Sequence, residues 1–257
     1  MQAPLAAATT TEQQISSTRG PVGCALGSPT VCAACVSRQS GICAALTVPE
    51  MLALSRHAHR RAIPACADIV SEGEQIESFG NILSGVVKLT KLTEDGRQQI
   101  VGLQFAPDFI GRPFDHESRV TATAATPTKL CLFPRSALEE LTKTAPDIGM
   151  RLYQQTRREL DDAQTWMLAL GRKTAFEKVA SLLHFIGTHS DLADLSEKDR
   201  SFDLPLTRSE AADFLGLTTE TVSRQMTKLR SEGLIALEGK RRVIVSSMDA
   251  LNAASGG

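Results

Sequence analysis

Four of the six cysteines in this 257-residue chain lie within one stretch of twenty residues. They are Cys24, Cys32, Cys35 and Cys43, so seven, two and seven residues separate successive thiols. Thiolates are soft donors that select iron–sulfur clusters, zinc or Cu(I). All four together could form a tetrahedral zinc site. Alternatively, the last three could join Cys131, far along the chain, because a cubane cluster needs four thiolates.

Composition and charge are those of an ordinary soluble protein, with 42% apolar residues, 22% charged residues and a net charge of -1. No apolar run is long enough to span a membrane, and no secretory signal is recognisable. We therefore expect a cytoplasmic location, where a reducing environment disfavours disulfides. Cys32 and Cys35 could serve a thiol oxidoreductase, but no thioredoxin-like strand–helix–strand pattern surrounds them. With no other catalytic grouping evident, we expect a protein that is not an enzyme.

The elements that would position these thiols begin with a region rich in strands, from about Ile63 to Phe133. Glycines separate short β-branched runs such as GVVKLTKL and QQIVGLQF. Asp95 and Gly96 stand between these two runs and form a strong hairpin signal. Several short strands at this spacing predict a compact antiparallel β-roll or sandwich.

After Pro134 the pattern becomes helical. It predicts a short helix over 135–143, a long helix over about 147–170 and an amphipathic helix over 173–186. The long helix, about 24 residues or roughly 36 Å, is longer than one small domain needs, which favours pairing with a second copy over packing on its own sheet. A heptad template places these residues on the seam of such a dimer: Tyr153, Leu160, Ala163, Met167 and Leu170.

Residues 206–245 carry the pattern of a winged helix-turn-helix. Thr207 and Glu210 form a capping box that begins one helix, and Gly216 ends it. Thr218 can cap a second helix, which Gly233 ends. The following LIALEGKRRVIV predicts a β-hairpin with a basic tip, and the preceding HSDLADLSEKDRSFDLP predicts a polar linker.

In this arrangement the second helix enters the major groove of DNA and its exposed side chains meet base edges. Three outward residues are predicted to read bases: Glu220, Ser223 and Arg224. Seven more are predicted to contact the DNA backbone: Thr218, Thr219, Lys228, Arg230, Lys240, Arg241 and Arg242. Double-stranded DNA is therefore the expected partner.

The segment TTETVSRQMTKLRSEGLI resembles the recognition helix of the CRP/FNR transcription regulators, and the order of roll, long helix and winged helix is similar to theirs. The resemblance implies an α+β fold: an N-terminal antiparallel β-roll of cyclic-nucleotide-binding type, a dimerisation helix and a C-terminal DNA-binding domain. The expected division is a disordered arm (1–22), a cysteine-rich cluster-binding segment (23–50), the roll (51–145), the dimerisation helix (146–171) and the winged helix-turn-helix (172–257). The E-x-x-S-R pattern resembles the FNR branch, which implies a homodimer that reads a TTGAT-N4-ATCAA-type palindrome and works with RNA polymerase.

The cysteine spacing is similar to that of oxygen-sensing FNR-type proteins. This resemblance implies a four-iron, four-sulfur (4Fe-4S) cluster held by Cys32, Cys35, Cys43 and Cys131. A sensor must couple its metal to the body of the protein, which favours the set with Cys131 over a zinc set that includes Cys24. The zinc set remains the alternative cofactor site.

Three further expectations concern the ligand, the packing of the cysteine segment and Cys66. Ser118-Arg119-Val120 stands where a cyclic-nucleotide binder carries an Arg-Ser or Arg-Thr pair, so cyclic AMP is not the expected ligand, although another small molecule remains an alternative. We expect the cysteine segment to pack against the long helix near Leu160 and Ala163, so that losing the cluster separates or reorients the dimer. Cys66 is predicted to be a small core residue.

Overall fold

The computed structural model describes residues 32, 35–113, 115–189, 200–239 and 241–256. The predicted arm, Cys24 and Lys240 lie outside the described residues.

Eight strands form the roll, and their bounds are β1 (His59–Ile63), β2 (Asp68–Val70), β3 (Ser78–Ser84), β4 (Val86–Leu92), β5 (Gln98–Phe105), β6 (Phe109–Ile110), β7 (Thr121–Ala124) and β8 (Thr128–Pro134). They build two antiparallel four-stranded sheets, with the orders β1-β8-β3-β6 and β2-β7-β4-β5. The predicted β-roll is confirmed. The predicted hairpin joins β4 to β5, and Gly96 adopts a left-handed φ of 84° in its turn.

The first half of the chain also contains short helical elements before the roll: α1 (Val36–Gln39), a 3₁₀ helix (Ile42–Ala45) and α2 (Val48–Ser55). None of them was predicted. The Glu50 carboxylate accepts a hydrogen bond of 2.8 Å from the Thr47 amide, so α2 begins with a capping box. Met51 and Leu54 anchor α2 in a buried cluster beneath the roll.

Three helices follow the roll: α3 (Arg135–Thr144), α4 (Pro146–Arg172) and α5 (Ala175–His189). Each agrees with a predicted helix within a few residues. The long helix α4 has 27 residues, and its first turns bury Ile148 and Leu152 in the cluster beneath the roll. Within the described residues, no helix combines the length and apolarity needed to cross a membrane.

The remaining elements form the C-terminal domain: β9 (Arg200–Asp203), α6 (Arg208–Leu215), α7 (Thr219–Ser231), β10 (Ile235–Glu238), β11 (Arg242–Val245) and α8 (Met248–Ala254). The hairpin of β10 and β11 is the predicted wing. The prediction of a linker was wrong for its last part, because β9 pairs antiparallel with β11 and buries Phe202. One buried apolar cluster joins β5 to α5, α6 and α7, so the roll and the C-terminal domain share a core.

Candidate functional site

The helix-turn-helix is held by local hydrogen bonds that its sequence predicts. The Glu210 amide donates to Thr207 Oγ1 at 3.2 Å, and the Thr207 amide donates to the Glu210 carboxylate at 2.8 Å. Gly216 ends α6 with a left-handed φ of 61°, where a side chain would be strained. Thr218 Oγ1 then accepts a bond of 3.1 Å from the Thr221 amide and begins α7. These caps fix the angle at which α7 leaves the turn.

The two faces of α7 differ as a recognition helix requires. Val222, Met226 and Leu229 are buried in the domain core. The three residues predicted to read bases are all exposed on the opposite face: Glu220, Ser223 and Arg224. The Ser223 hydroxyl donates to Thr219 O at 2.9 Å, so its oxygen remains available as an acceptor.

The residues predicted to contact the DNA backbone are also exposed where the structure describes them: Thr218, Thr219, Lys228, Arg230, Arg241 and Arg242. Both Lys228 and Arg242 already interact with other side chains. Lys228 lies over the Phe176 ring at 4.6 Å, and Arg242 donates to Ser201 Oγ at 2.7 Å on the neighbouring strand β9. These contacts orient both cationic side chains.

The long helix α4 exposes an apolar stripe. Tyr153, Leu160 and Met167 follow one another at intervals of seven residues, and their exposed fractions are 64%, 56% and 72%. Ala163 is also exposed, whereas Leu170 is half-buried. Large apolar side chains exposed in register along a helix are typical of an interaction face.

The cysteine segment contacts α4 at a different place from the one predicted. Ile42 of the 3₁₀ helix is buried in the same cluster as Ile148 and Leu152, near the start of α4. Leu160 and Ala163 are exposed, so the described part of the segment does not bury them. A Cβ on Gly41 would lie only 2.9 Å from Ser37 Cα of the same segment and 3.1 Å from Pro107 O, so glycine lets the segment pack tightly on itself and against the roll.

The structure brings Cys43 and Cys131 together through strand β3. Cys131 on β8 is the register partner of Asn81 on β3, and the Asn81 side chain donates from Nδ2 to Cys43 Sγ at 3.4 Å. Cys32 and Cys35 precede α1 on the same short segment. All four of these thiols are half-buried and free of disulfides.

The electrostatics of these thiols are those of interacting groups. Burial, together with the charges of Cys131, Cys35 and Cys32, raises the pKa of Cys43 to about 12. Burial likewise raises the pKa of Cys131 to about 11, with Cys35 and Cys32 adding to the effect. Such thiols remain protonated at neutral pH unless a cation or metal stabilises the thiolates.

A basic residue and two buried polar atoms without hydrogen-bond partners lie on elements that adjoin these cysteines. Arg60 lies directly opposite Cys131 in the β1–β8 ladder, and its charge lowers the pKa of Cys131 and of Cys32. The buried atoms Ser37 Oγ and Asn81 Oδ1 have no hydrogen-bond partner. Four soft donors beside a basic residue fit an anionic, thiolate-ligated group. Among the residues that the structure describes, no three or more His, Cys, Asp or Glu side chains are grouped so as to hold a metal ion.

The structure also shows the positions of Cys66, Ser118 and Arg119. Cys66 is exposed and has a left-handed φ of 67°, so the prediction of a core residue was wrong. A single cysteine among small residues carries no periodic signal that could have shown this. The Ser118 hydroxyl donates to Val120 O at 2.6 Å, while Arg119 is exposed.

A roll of this topology, followed by a long helix and a winged helix, defines a DNA-binding transcription regulator. Two family models match the chain: a cyclic nucleotide-binding domain over residues 60–145 and a Crp-like helix-turn-helix domain over residues 177–254. The chain is 50% identical to a probable transcriptional activator of Rhizobium leguminosarum bv. viciae, over 88% of this chain and 93% of the relative. It is 43% identical to the transcriptional activator protein FnrL of Cereibacter sphaeroides, over 84% of this chain and 88% of the relative.

Among solved structures, FixK2 from Bradyrhizobium japonicum is similar, with 30% sequence identity and a TM-score of 0.71. That match covers 78% of this chain and 98% of FixK2. The chain therefore belongs to the CRP/FNR family of transcription regulators, and its relatives are activators of the FNR, FixK and Anr type rather than enzymes.

Proposed function

We propose that this regulator responds to oxygen through a 4Fe-4S cluster, and that the cluster controls dimerisation and binding to a TTGAT-N4-ATCAA-type palindrome. Cys32, Cys35, Cys43 and Cys131 would hold the cluster. The observation that carries the proposal is the hydrogen bond from Asn81 to Cys43, because Asn81 is also the strand neighbour of Cys131. It joins the cysteine segment to the distant fourth thiol.

The chemistry of the group is compatible with oxygen as the signal. A thiolate-ligated iron–sulfur cluster supplies a redox-active centre whose properties depend on burial and hydrogen bonds to sulfur. The chain contributes half-buried sulfurs, the Asn81 donor and the positive charge of Arg60. The Asn81 donor and the Arg60 charge stabilise the anionic ligand set, and burial restricts access of solvent to it.

Dimerisation would use the exposed stripe of α4. A palindrome has two equivalent half-sites, so a two-fold homodimer reads it with one α7 in each. In each half-site, Arg224 would pair with a guanine, Glu220 would accept from a cytosine amine and Ser223 would contact either base of a pair. RNA polymerase would be the further partner of an activator. Because such a regulator must reach the chromosome, the cytoplasm is its expected location.

Anaerobic purification followed by absorption spectroscopy and assays of iron and acid-labile sulfide tests the proposal. Wild-type protein should be brown and contain about four irons per chain. Cys131→Ser should lose the cluster, whereas Cys24→Ser and the exposed-thiol control Cys66→Ser should keep it. Air should abolish binding to the palindrome in the wild type.

Each contrary result has a distinct meaning. A colourless protein that contains one zinc and loses it in Cys24→Ser, but not in Cys131→Ser, would show the alternative zinc site. Equal DNA binding by metal-free aerobic protein would refute oxygen control while leaving the DNA-binding regulator intact.

A further inference from the structure

Asn81 connects the cysteine site to the edge of the roll that faces α4. This residue is 1% exposed and lies in the middle of β3. On one side it pairs in register with Cys131, and on the other with Phe109 of the edge strand β6. Its side chain donates to Cys43 Sγ, so one residue contacts both ends of the proposed ligand set and the last strand of the sheet.

Gln155 binds that last strand from the side of the long helix. Its Oε1 accepts from the Phe109 amide at 3.1 Å, and its Nε2 donates to Phe109 O at 2.9 Å. The Gln155 amide therefore completes the free edge of β6 as a further strand would. Nε2 also donates to Glu159 Oε1 at 2.8 Å, one turn along α4 and next to Leu160 of the exposed stripe.

A second buried amide bonds to the same carbonyl from within the roll. Gln104 of β5 donates from Nε2 to Phe109 O at 3.3 Å and to Glu159 Oε1 at 3.2 Å. Gln104 and Gln155 are both more than nine-tenths buried. They differ in one respect that matters here: only Gln155 belongs to the long helix.

We propose that Asn81 and Gln155 are the positioning residues that transmit the state of the cysteine site to the dimer helix. The path runs from the Cys43 sulfur through the Asn81 side chain, across the ladder of β3 and β6 to Phe109, and through the Gln155 amide into α4. This inference rests on the proposed function, because it assigns the connection between cluster and dimerisation to particular residues.

The physical basis is the directionality of these bonds. When Cys43 is a ligand, its sulfur is fixed in place and anionic, so Asn81 donates a stronger hydrogen bond than it does to a free thiol. A shift of Asn81 moves β6 with it, since the two strands share a ladder. Gln155 holds both polar groups of Phe109, so a displacement of β6 changes the position of α4 rather than only a loop.

The direct packing of the cysteine segment on α4 through Ile42 is apolar and carries less directional information. Ile42 packs in the cluster with Ile148 and Leu152. Apolar packing is non-directional and resists separation more than sliding or rotation. The hydrogen-bonded path is therefore the one that can define the rotation of the helix, and with it the orientation of the exposed stripe.

Gln155→Met tests the path, because methionine has a similar volume but cannot bond to Phe109. Gln104→Met is the matched control: it also removes a buried amide from Phe109 O, yet it leaves the clamp from α4 in place. Sedimentation measures the dimer dissociation constant of each protein with its cluster loaded anaerobically and after its removal. Iron content and absorbance measure the cluster independently of dimerisation.

We expect all three proteins to hold the same amount of iron. In the wild type and Gln104→Met, cluster removal should raise the dimer dissociation constant by about tenfold or more, within the usual range of coupling between sites. In Gln155→Met the ratio should fall to about threefold or less. Asn81→Leu interrupts the path at its other end and should reduce the same ratio. The double variant with Asn81→Leu and Gln155→Met should lose no more of this ratio than either single variant, because both substitutions break one path.

Three results would overturn the inference. A wild-type ratio in Gln155→Met would show that the helix clamp does not transmit the signal. An equal loss in Gln104→Met would show a merely structural role for this buried amide pair. Additive losses in the double variant would show two separate routes. If wild-type dimerisation ignores cluster removal, the proposed function itself fails, a result that differs from each of these.

Discussion

Substitution of Met167 by alanine tests the proposed dimer seam on α4. Burying a whole methionine side chain contributes roughly 1.5–3 kcal/mol. Since 72% of Met167 is exposed in the single chain, pairing can gain about 1–2 kcal/mol per protomer. A two-fold interface contains the contact twice, so the dimer should lose about 2–4 kcal/mol. The dissociation constant should then rise by about 30-fold to 700-fold, since each 1.4 kcal/mol is about tenfold.

Leu168 provides the matched control for this measurement. Its side chain is 60% exposed, close to the value for Met167, but it points about 100° away around the helix. Sedimentation of anaerobic protein should show a much weaker dimer for Met167→Ala and little change for Leu168→Ala. If the two substitutions weaken the dimer equally, or if Met167→Ala leaves it unchanged, the seam through Tyr153 and Leu160 is wrong.

Three further predictions concern DNA reading, pH and thiol reactivity. Arg224→Gln should weaken binding to the palindrome by about 1–3 kcal/mol and relax base preference at one position. Arg230→Gln should weaken binding to every sequence and lower the slope of log binding constant against log salt concentration by about one. Titrations with two operators at several salt concentrations separate these effects. Burial raises the pKa of the Asp108 carboxyl, so stability falls as pH rises from the unfolded-state pKa through the higher folded-state pKa. Asp108→Asn should therefore raise the Tm at neutral pH and raise it less in mild acid, where the wild-type carboxyl takes up its proton; equal shifts in thermal unfolding under both conditions would contradict the assignment. In cluster-free protein, iodoacetamide should modify exposed Cys66 faster than Cys43, whose pKa burial raises to about 12, and mass spectrometry of the labelled peptides would expose the opposite order.

The DNA-binding domain could be predicted from sequence because its signals are local. The capping box of Thr207 and Glu210, the left-handed turn at Gly216 and the cap at Thr218 each involve residues within a few positions of one another. Hydrogen bonds at this range depend on residue type and spacing alone. The same type of signal is present at Thr47 and Glu50, where α2 could have been found but was not.

Features that depend on contacts between distant residues could not be predicted from the sequence. Strand β9 contains one apolar residue, Phe202, among polar and charged neighbours. It forms because β11 offers a partner edge some forty residues further on. The bond from Asn81 to Cys43 likewise joins residues of no common motif. An asparagine within a strand has no pattern that marks it as a thiol neighbour, so the path from the cysteine site to α4 required the fold.

The position of the DNA-binding domain bears on how such a regulator would be controlled. Lys88 of β4 forms an ion pair of 2.5 Å with Glu210 of α6, and both side chains are largely buried. Gln99 of β5 donates to Phe214 O at 3.1 Å, and the Trp166 ring of α4 meets the Phe214 ring edge-on at 4.6 Å. The first helix of the helix-turn-helix is thus docked on the roll of its own chain.

This docking favours control through pairing of chains over control through rotation of each DNA-binding domain. Rotation would have to break the ion pair of Lys88 and Glu210, and a charge left unpaired in a partly buried site is costly. It would also expose apolar surface from the cluster that β5 shares with α6. Separation of two α4 helices breaks none of these contacts, since the stripe through Leu160 is exposed in the single chain. In the proposed function, the cysteine site therefore determines whether two docked DNA-binding domains are brought together. The hydrogen bonds of Gln155 to Phe109 are the contact through which the cysteine site acts on α4.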